Sequence, residues 1–194
     1  NMRGAEALHA RKRWQQQQLG VMKELANELP FNRLEMKGDE EFGIITTGVA
    51  SNYVQEVKNA FGLTDIAVLK LGCFNPLPEK LVEKLLSQVK RVLVVEAMDP
   101  YVETKIRELV TLSGKQVEVR GKQTQDLPVV GTYGFNLVAE AIQKFTGHNL
   151  RLAALDKAEL RKQIVDLVPV TRNPCPGCPH RASYYALKQA LRQS

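Results

Sequence analysis

Between Phe42 and Phe145 the sequence pairs four short, β-branched apolar runs with four longer stretches of helical spacing, and this alternation limits the fold more than any other feature. Phe42–Thr46, Ile66–Leu71, Arg91–Glu96 and Val117–Arg120 read as strands. Helices at Ala50–Phe61, Pro78–Val89, Pro100–Leu112 and Tyr133–Phe145 follow them in turn. The helical stretches carry one-sided apolar sets, such as Val54, Val57 and Phe61, or Leu81, Val82, Leu85, Leu86 and Val89. Pro78 suits a first helical turn, and Gly147 closes the last helix. Strands and helices alternating at this length require parallel strands joined by right-handed crossovers. An unbroken apolar run such as Val92–Val95 suits a strand covered on both faces. The expected architecture is α/β, a doubly wound, mainly parallel sheet.

The flanks have a different character. Residues 5–29 read as a helix with Trp14, Gln18, Val21, Met22, Leu25 and Leu29 on one side, ended by Pro30. Such a stripe cannot be buried within one helix, so it predicts packing against another domain or chain. Residues 31–41 read as a connector with one short extended piece. Beyond residue 150 a basic stretch follows, with a possible amphipathic helix at Leu155–Leu167. Pro169, Pro174, Pro176 and Pro179 then force an extended or looped path before a helix restarts at Ala182–Leu191. The expected divisions are residues 1–37, 38–150, 151–168 and 169–194, the last being the beginning of a further piece of structure.

Charge narrows the partners. The net charge of +6 suggests an anionic polymer, but residues 38–150 hold 12 basic side chains against 14 acidic ones. The excess lies in the flanks, and Arg11-Lys12-Arg13-Trp14 is the one cluster that joins basic residues to an aromatic. A nucleic-acid surface needs more than that. No apolar run reaches the ~20 residues that a spanning helix needs. Neither nucleic acid nor membrane is expected as a partner. The three cysteines, two of them in Cys-x-x-Cys, fit a reducing, cytoplasmic compartment better than a disulfide framework.

Five places are candidates for chemistry. Thr47–Ser51 and Gly131–Gly134 lie where phosphate loops occur, but neither carries a P-loop or dinucleotide pattern. Gly48 reads as a tight-turn residue, with Ser51 or Thr47 as a helix cap. Glu96, Asp99 and Glu103 gather at a strand's carboxyl end, and capping of the next helix is favoured over metal or base chemistry. Cys73 reads as a packed small residue. Cys175-Pro-Gly-Cys178 is the strongest signal. Two thiolates three residues apart can grip one metal centre, and Pro176-Gly177 supplies the turn. Three readings stay open: an iron–sulfur cluster needing further thiolates, a zinc site adding His180, or a redox-active pair at a helix start.

Taken together, Gly43–Val54, Leu69–Gly72 with Pro76–Pro78, Val92–Glu96, and Cys175–Arg181 with Tyr185–Leu187 resemble the α subunit of indolepyruvate:ferredoxin oxidoreductases, in the order that family has them. The resemblance covers about residues 25–194. It implies a transketolase C-terminal-like domain over 38–150, followed by the opening of a thiamine diphosphate-binding domain. It implies a parent enzyme that decarboxylates aryl 2-oxo acids oxidatively to acyl-coenzyme A, using thiamine diphosphate, magnesium and a 4Fe-4S cluster. The implied partners are a β subunit, ferredoxin, the 2-oxo acid and coenzyme A. Cys175 and Cys178 become cluster ligands and His180 a cofactor contact. Pro179-His180 departs from many relatives, and the Gly-Asp-x-Gly segment that binds metal and diphosphate is absent from the chain. The chain alone is therefore expected to be inert. The alternative is a non-catalytic assembly module whose Cys-x-x-Cys binds zinc or is redox-active.

Overall fold

A computed structural model describes residues 4–151, 178 and 180–193. The chain divides into two units after Leu152. The first begins with helix α1 (Ala5–Glu28) and strand β1 (Arg33–Glu35). Then come β2 (Phe42–Thr47), α2 (Ala50–Phe61), β3 (Ile66–Leu71), α3 (Glu79–Leu86), β4 (Arg91–Val95), α4 (Tyr101–Ser113), β5 (Glu118–Arg120) and α5 (Phe135–Thr146). The second unit contributes α6 (His180–Gln193). The helix expected at 155–167 lies outside the described residues.

The five strands form one sheet in the order β1-β3-β2-β4-β5. β3, β2, β4 and β5 run parallel, and β1 pairs antiparallel with β3. Alternation along the strands sorts the apolar side chains onto two faces. Ile44, Ile66, Val68, Leu93 and Val95 pack with Val54 and Val57 of α2 and with Val138, Ile142 and Phe145 of α5. Ile45, Leu69, Leu71, Val92 and Val94 pack with Val82 and Leu85 of α3 and with Val102 and Ile106 of α4. Helices therefore cover both faces, as the unbroken apolar strands require, and the sheet is doubly wound.

Element ends differ by a few residues from expectation. Pro78 flanks α3 as its N-cap instead of entering the first turn. The connector over 31–41 contains β1, which joins the sheet edge. Its register pairs Arg33 with Lys70 and Glu35 with Val68.

Helix α1 docks through polar groups. Asn32 follows it and donates from Nδ2 to the Ala26 carbonyl at 2.7 Å, while its Oδ1 accepts the N–H groups of Gly72 and Cys73 at 2.9 Å each. Asn27 accepts the Lys80 N–H at 3.0 Å, Lys23 pairs with Glu79 at 3.1 Å, and Lys80 pairs with Glu24. Ala26 is fully buried, whereas Trp14, Val21, Met22 and Leu25 are about half exposed. The apolar stripe is thus ordered within a helix, and among the described residues nothing covers the outer half of Trp14, Val21, Met22 and Leu25.

Candidate functional site

In the second unit the thiol of Cys178 lies 3.4 Å from Nδ1 of His180, the first residue of α6. The Cys178 carbonyl accepts the Arg181 N–H at 3.1 Å, which turns the chain into the helix. Cys175 lies outside the described residues. Cys178 and His180 are therefore brought together, and the third expected ligand is not described. Among the described residues, no group of three or more His, Cys, Asp or Glu is placed to hold a metal ion.

The first unit has a crevice where its topology predicts one. β2 leads through α2 to β3 on one side, and β4 leads through α4 to β5 on the other. Adjacent strands whose connections diverge leave a gap at their carboxyl ends, the usual ligand position in open α/β sheets. A cleft of about 610 Å³ opens there, lined by Val49, Ala50, Tyr53, Ala97, Met98, Asp99, Val129, Val130 and Tyr133 among others. Gly48, at φ 55°, makes the tight turn that brings Val49 to this rim. Neither Thr47 nor Ser51 caps α2: the N-cap residue is Val49, and the Ser51 hydroxyl instead donates to the Gly48 carbonyl at 2.6 Å. The N–H groups of Ser51 and Asn52 also turn back, to Gly48 and Val49, which leaves neither of them free for an anion.

A buried charge cluster lies at the carboxyl end of β4. Glu96 accepts the N–H groups of Val102 and Glu103 at 2.8 and 2.9 Å, one with each carboxylate oxygen, and so caps α4 as expected. Glu103 does something else. Fully buried, it takes the Arg107 guanidinium at 2.8 Å and the N–H groups of Lys122 and Gln123 at 2.7 and 3.1 Å. Asp99 is exposed on the rim. The Lys122 ammonium donates to the Met98 carbonyl and stands 5.2 Å from the centre of the Tyr133 ring.

Burial pushes the Glu96 carboxyl above its ordinary range, against the two amides that favour its charged form. Burial likewise pushes the Lys122 ammonium down, although Glu96, Asp99 and Glu103 hold it up. The Tyr133 hydroxyl is pushed up to about 12, by burial first and then by the charges of Glu96 and Glu103. Its proton is engaged with the Pro128 carbonyl at 3.2 Å. Glu96, Glu103, Lys122 and Tyr133 are consumed in holding the loops around the crevice, and the cleft above them is mostly apolar. No described residue there forms a nucleophile–base pair. Lys122 and Arg107 carried no sequence pattern, and Tyr133 stood out only as part of the Gly131–Gly134 turn. The one local hint was the Gly121-Lys122 step directly after a strand.

Cys73 is half-buried, and its N–H is fixed by Asn32. No helix among the described residues is long and apolar enough to cross a membrane.

The mainly parallel, doubly wound sheet places the first unit among the open α/β domains. No family model matches the chain. It is 38% identical over 173 residues to the indolepyruvate oxidoreductase subunit IorA of Methanothermobacter thermautotrophicus, covering 87% of this chain and 27% of that protein. The IorA subunit of Pyrococcus abyssi is 34% identical over 180 residues, covering 92% of this chain and 27% of that protein. That of Archaeoglobus fulgidus is 36% identical over 166 residues, covering 83% and 26%. Over this segment the chain belongs to the indolepyruvate oxidoreductase IorA family, and it spans about 27% of the length of the relatives it matches. Among solved structures, a 2-oxoglutarate:ferredoxin oxidoreductase from Magnetococcus marinus aligns with a TM-score of 0.48 at 16% identity, covering 72% of this chain and 23% of that one. A split-gene transketolase aligns with a TM-score of 0.45 at 13% identity, covering 59% and 41%.

Proposed function

We propose that this chain is the support segment of an indolepyruvate:ferredoxin oxidoreductase. In that reading residues 38–150 are the transketolase C-terminal-like domain and residues 169–194 open the cofactor domain. The parent protein oxidatively decarboxylates aryl 2-oxo acids with thiamine diphosphate and magnesium, and passes electrons through iron–sulfur chemistry to ferredoxin. A β subunit, coenzyme A and a cytoplasmic setting complete the picture. The observation that carries the proposal is the 38% identity to an IorA subunit across 87% of the chain.

The chain's own residues do not fit the whole cofactor set. A four-thiolate cluster needs two cysteines beyond Cys175 and Cys178. The Glu96–Lys122 cluster is closed by its own hydrogen bonds, and the crevice above it presents no array of cations for a diphosphate. The chain therefore contributes a scaffold and two thiolates, and by itself it is inert.

A second reading has one observation in its favour. Two ligands on one tetrahedral zinc stand roughly 3.5 Å apart, given Zn–S of about 2.3 Å and Zn–N of about 2.0 Å. The 3.4 Å between Cys178 Sγ and His180 Nδ1 matches that spacing, so an assembly module with a Cys175–Cys178–His180 zinc site competes with the cluster.

The parent chain bearing Cys175→Ser and Cys178→Ser separates the two. The proposal expects the unaltered protein to be brown and to lose visible absorbance and bound iron in the variant. A colourless parent protein with stoichiometric zinc that the variant loses would establish the second reading.

A further inference from the structure

A second cleft, of about 720 Å³, opens on the other side of the α2 N-terminus, between that helix and the β3–β1 edge. Its floor is the sheet itself. Thr46 of β2 points to the α2 face, as Ile44 does two residues earlier, and Val68 of β3 lies beside it. Lys70 and Arg33, cross-strand partners in the antiparallel pair, stand on one wall. Ser51 and Asn52 of α2 stand on the other, and Phe31, 64% exposed, lies at the mouth.

Thr46 carries the inference. It is fully buried, and its Oγ1 is the one buried side-chain polar atom among the described residues without a hydrogen-bond partner. A buried hydroxyl left in that state is unfavourable, and a ligand acceptor would relieve it. Its neighbour Ser51 has spent its proton on the Gly48 carbonyl, so it offers Thr46 no relief as a donor. Thr46 lines the cleft, and one wall of that cleft carries two cations. Lys70 has no ion-pair partner among the described residues. Arg33 pairs with Glu35 through Nε at 3.3 Å, which leaves its terminal nitrogens open. The single acid lining the cleft, Glu35, is also drawn by Lys58 at 3.7 Å, so its charge is matched and the cleft stays positive.

An unpartnered hydroxyl donor, an open ammonium and an open guanidinium edge together describe a receptor for a tetrahedral oxyanion. We infer that the Thr46–Lys70–Arg33 cleft binds a phosphoryl group, with Thr46 donating to one oxygen and the two cations to the others. The volume exceeds that of an inorganic ion and falls in the range of small-molecule sites. The phosphoryl group therefore arrives either as free phosphate or on a small phosphorylated metabolite. This inference does not depend on the redox role of the parent protein.

The test is a titration of the full chain with inorganic phosphate at constant ionic strength, followed by amide chemical shifts, and repeated with ribose 5-phosphate. Saturable shifts at Thr46, Thr47, Ser51 and Lys70 are expected. Thr46→Val and Lys70→Gln should each weaken binding at least five-fold, and Lys84→Gln, on the opposite face of the sheet, should leave it unchanged. Thr46→Val is also expected to keep or raise the melting temperature, which separates lost binding from lost folding. Binding of ribose 5-phosphate ten-fold or more tighter than phosphate identifies a metabolite site, and equal binding identifies a site for phosphate itself. Non-saturating shifts, or affinity equal in Thr46→Val, Lys70→Gln and the unaltered chain, would overturn the inference.

Discussion

Gly121 lies directly against the carboxylate of Glu103: a β-carbon built on Gly121 would stand 2.6 Å from Oε2 and 2.8 Å from Cδ. The carboxylate cannot retreat, because Arg107 and the N–H groups of Lys122 and Gln123 hold it in full burial. Gly121→Ala should therefore destabilise the first unit by about 2–4 kcal/mol. Calorimetry should show a fall in melting temperature on the order of 5–10 °C. A change under 1 °C would show that the Glu103 cage is soft.

Asn32 ties three parts of the chain together with one amide. Asn32→Ala leaves the Ala26 carbonyl and the Cys73 N–H without the partner they now share. The expected loss is about 2–4 kcal/mol. Tryptic cleavage after Lys23 should quicken in the variant before the sheet unfolds, because the end of α1 is what the amide anchors. Global unfolding with no change in cleavage order would contradict that account.

The late titration of Tyr133 gives a pH signature. Its folded pKa of about 12 lies above the ordinary tyrosine value of about 10, so below pH 10 the protonated form is shared by folded and unfolded chains. As pH rises from 10 to 12 the unfolded chain releases this proton and the folded chain retains it, and stability falls by up to about 2–3 kcal/mol. Tyr133→Phe should flatten this alkaline limb. In the unaltered protein, ultraviolet titration should show one of the five tyrosines ionising after the others.

Asp126 governs the acid limb. Burial would raise its carboxyl, but the Arg120 guanidinium first, then the Thr124 hydroxyl and the Lys144 ammonium, hold it below the ordinary aspartate range. A lowered folded pKa means stability that is present above about pH 4 and lost as pH falls through the folded value. Asp126→Asn should lower stability at neutral pH and make acid unfolding shallower. An acid limb identical in the two proteins would remove Asp126 from the account.

The sheet was legible because its strands are unbroken apolar runs separated by one-sided helices, and a run such as Val92–Val95 has few other ways to be buried. β1 was half legible. Arg33-Leu34-Glu35 carries no apolar alternation long enough to read as a strand, and only the Gly72 and Lys70 edge beside it gives it a partner. The capping role of Glu96 followed from its place before a helix. The inward turn of Glu103 did not, because it depends on Arg107 one helical turn away and on a loop nearly twenty residues downstream. Thr46 looked like any β-branched strand residue. Its missing partner is a property of three-dimensional packing, and no spacing rule encodes it.

Both borders of the sheet are three-residue strands carrying charge, β1 with Arg33 and Glu35, and β5 with Glu118 and Arg120. Their brevity has a consequence for solubility. β3 is an apolar six-residue strand whose outer hydrogen-bonding row is met only by β1. Stripped of residues 1–37, it would become a free template for pairing with a second molecule. The short, charged β1 thus works as a guard against self-association, and a chain begun at residue 38 would be expected to self-associate more readily than the longer one.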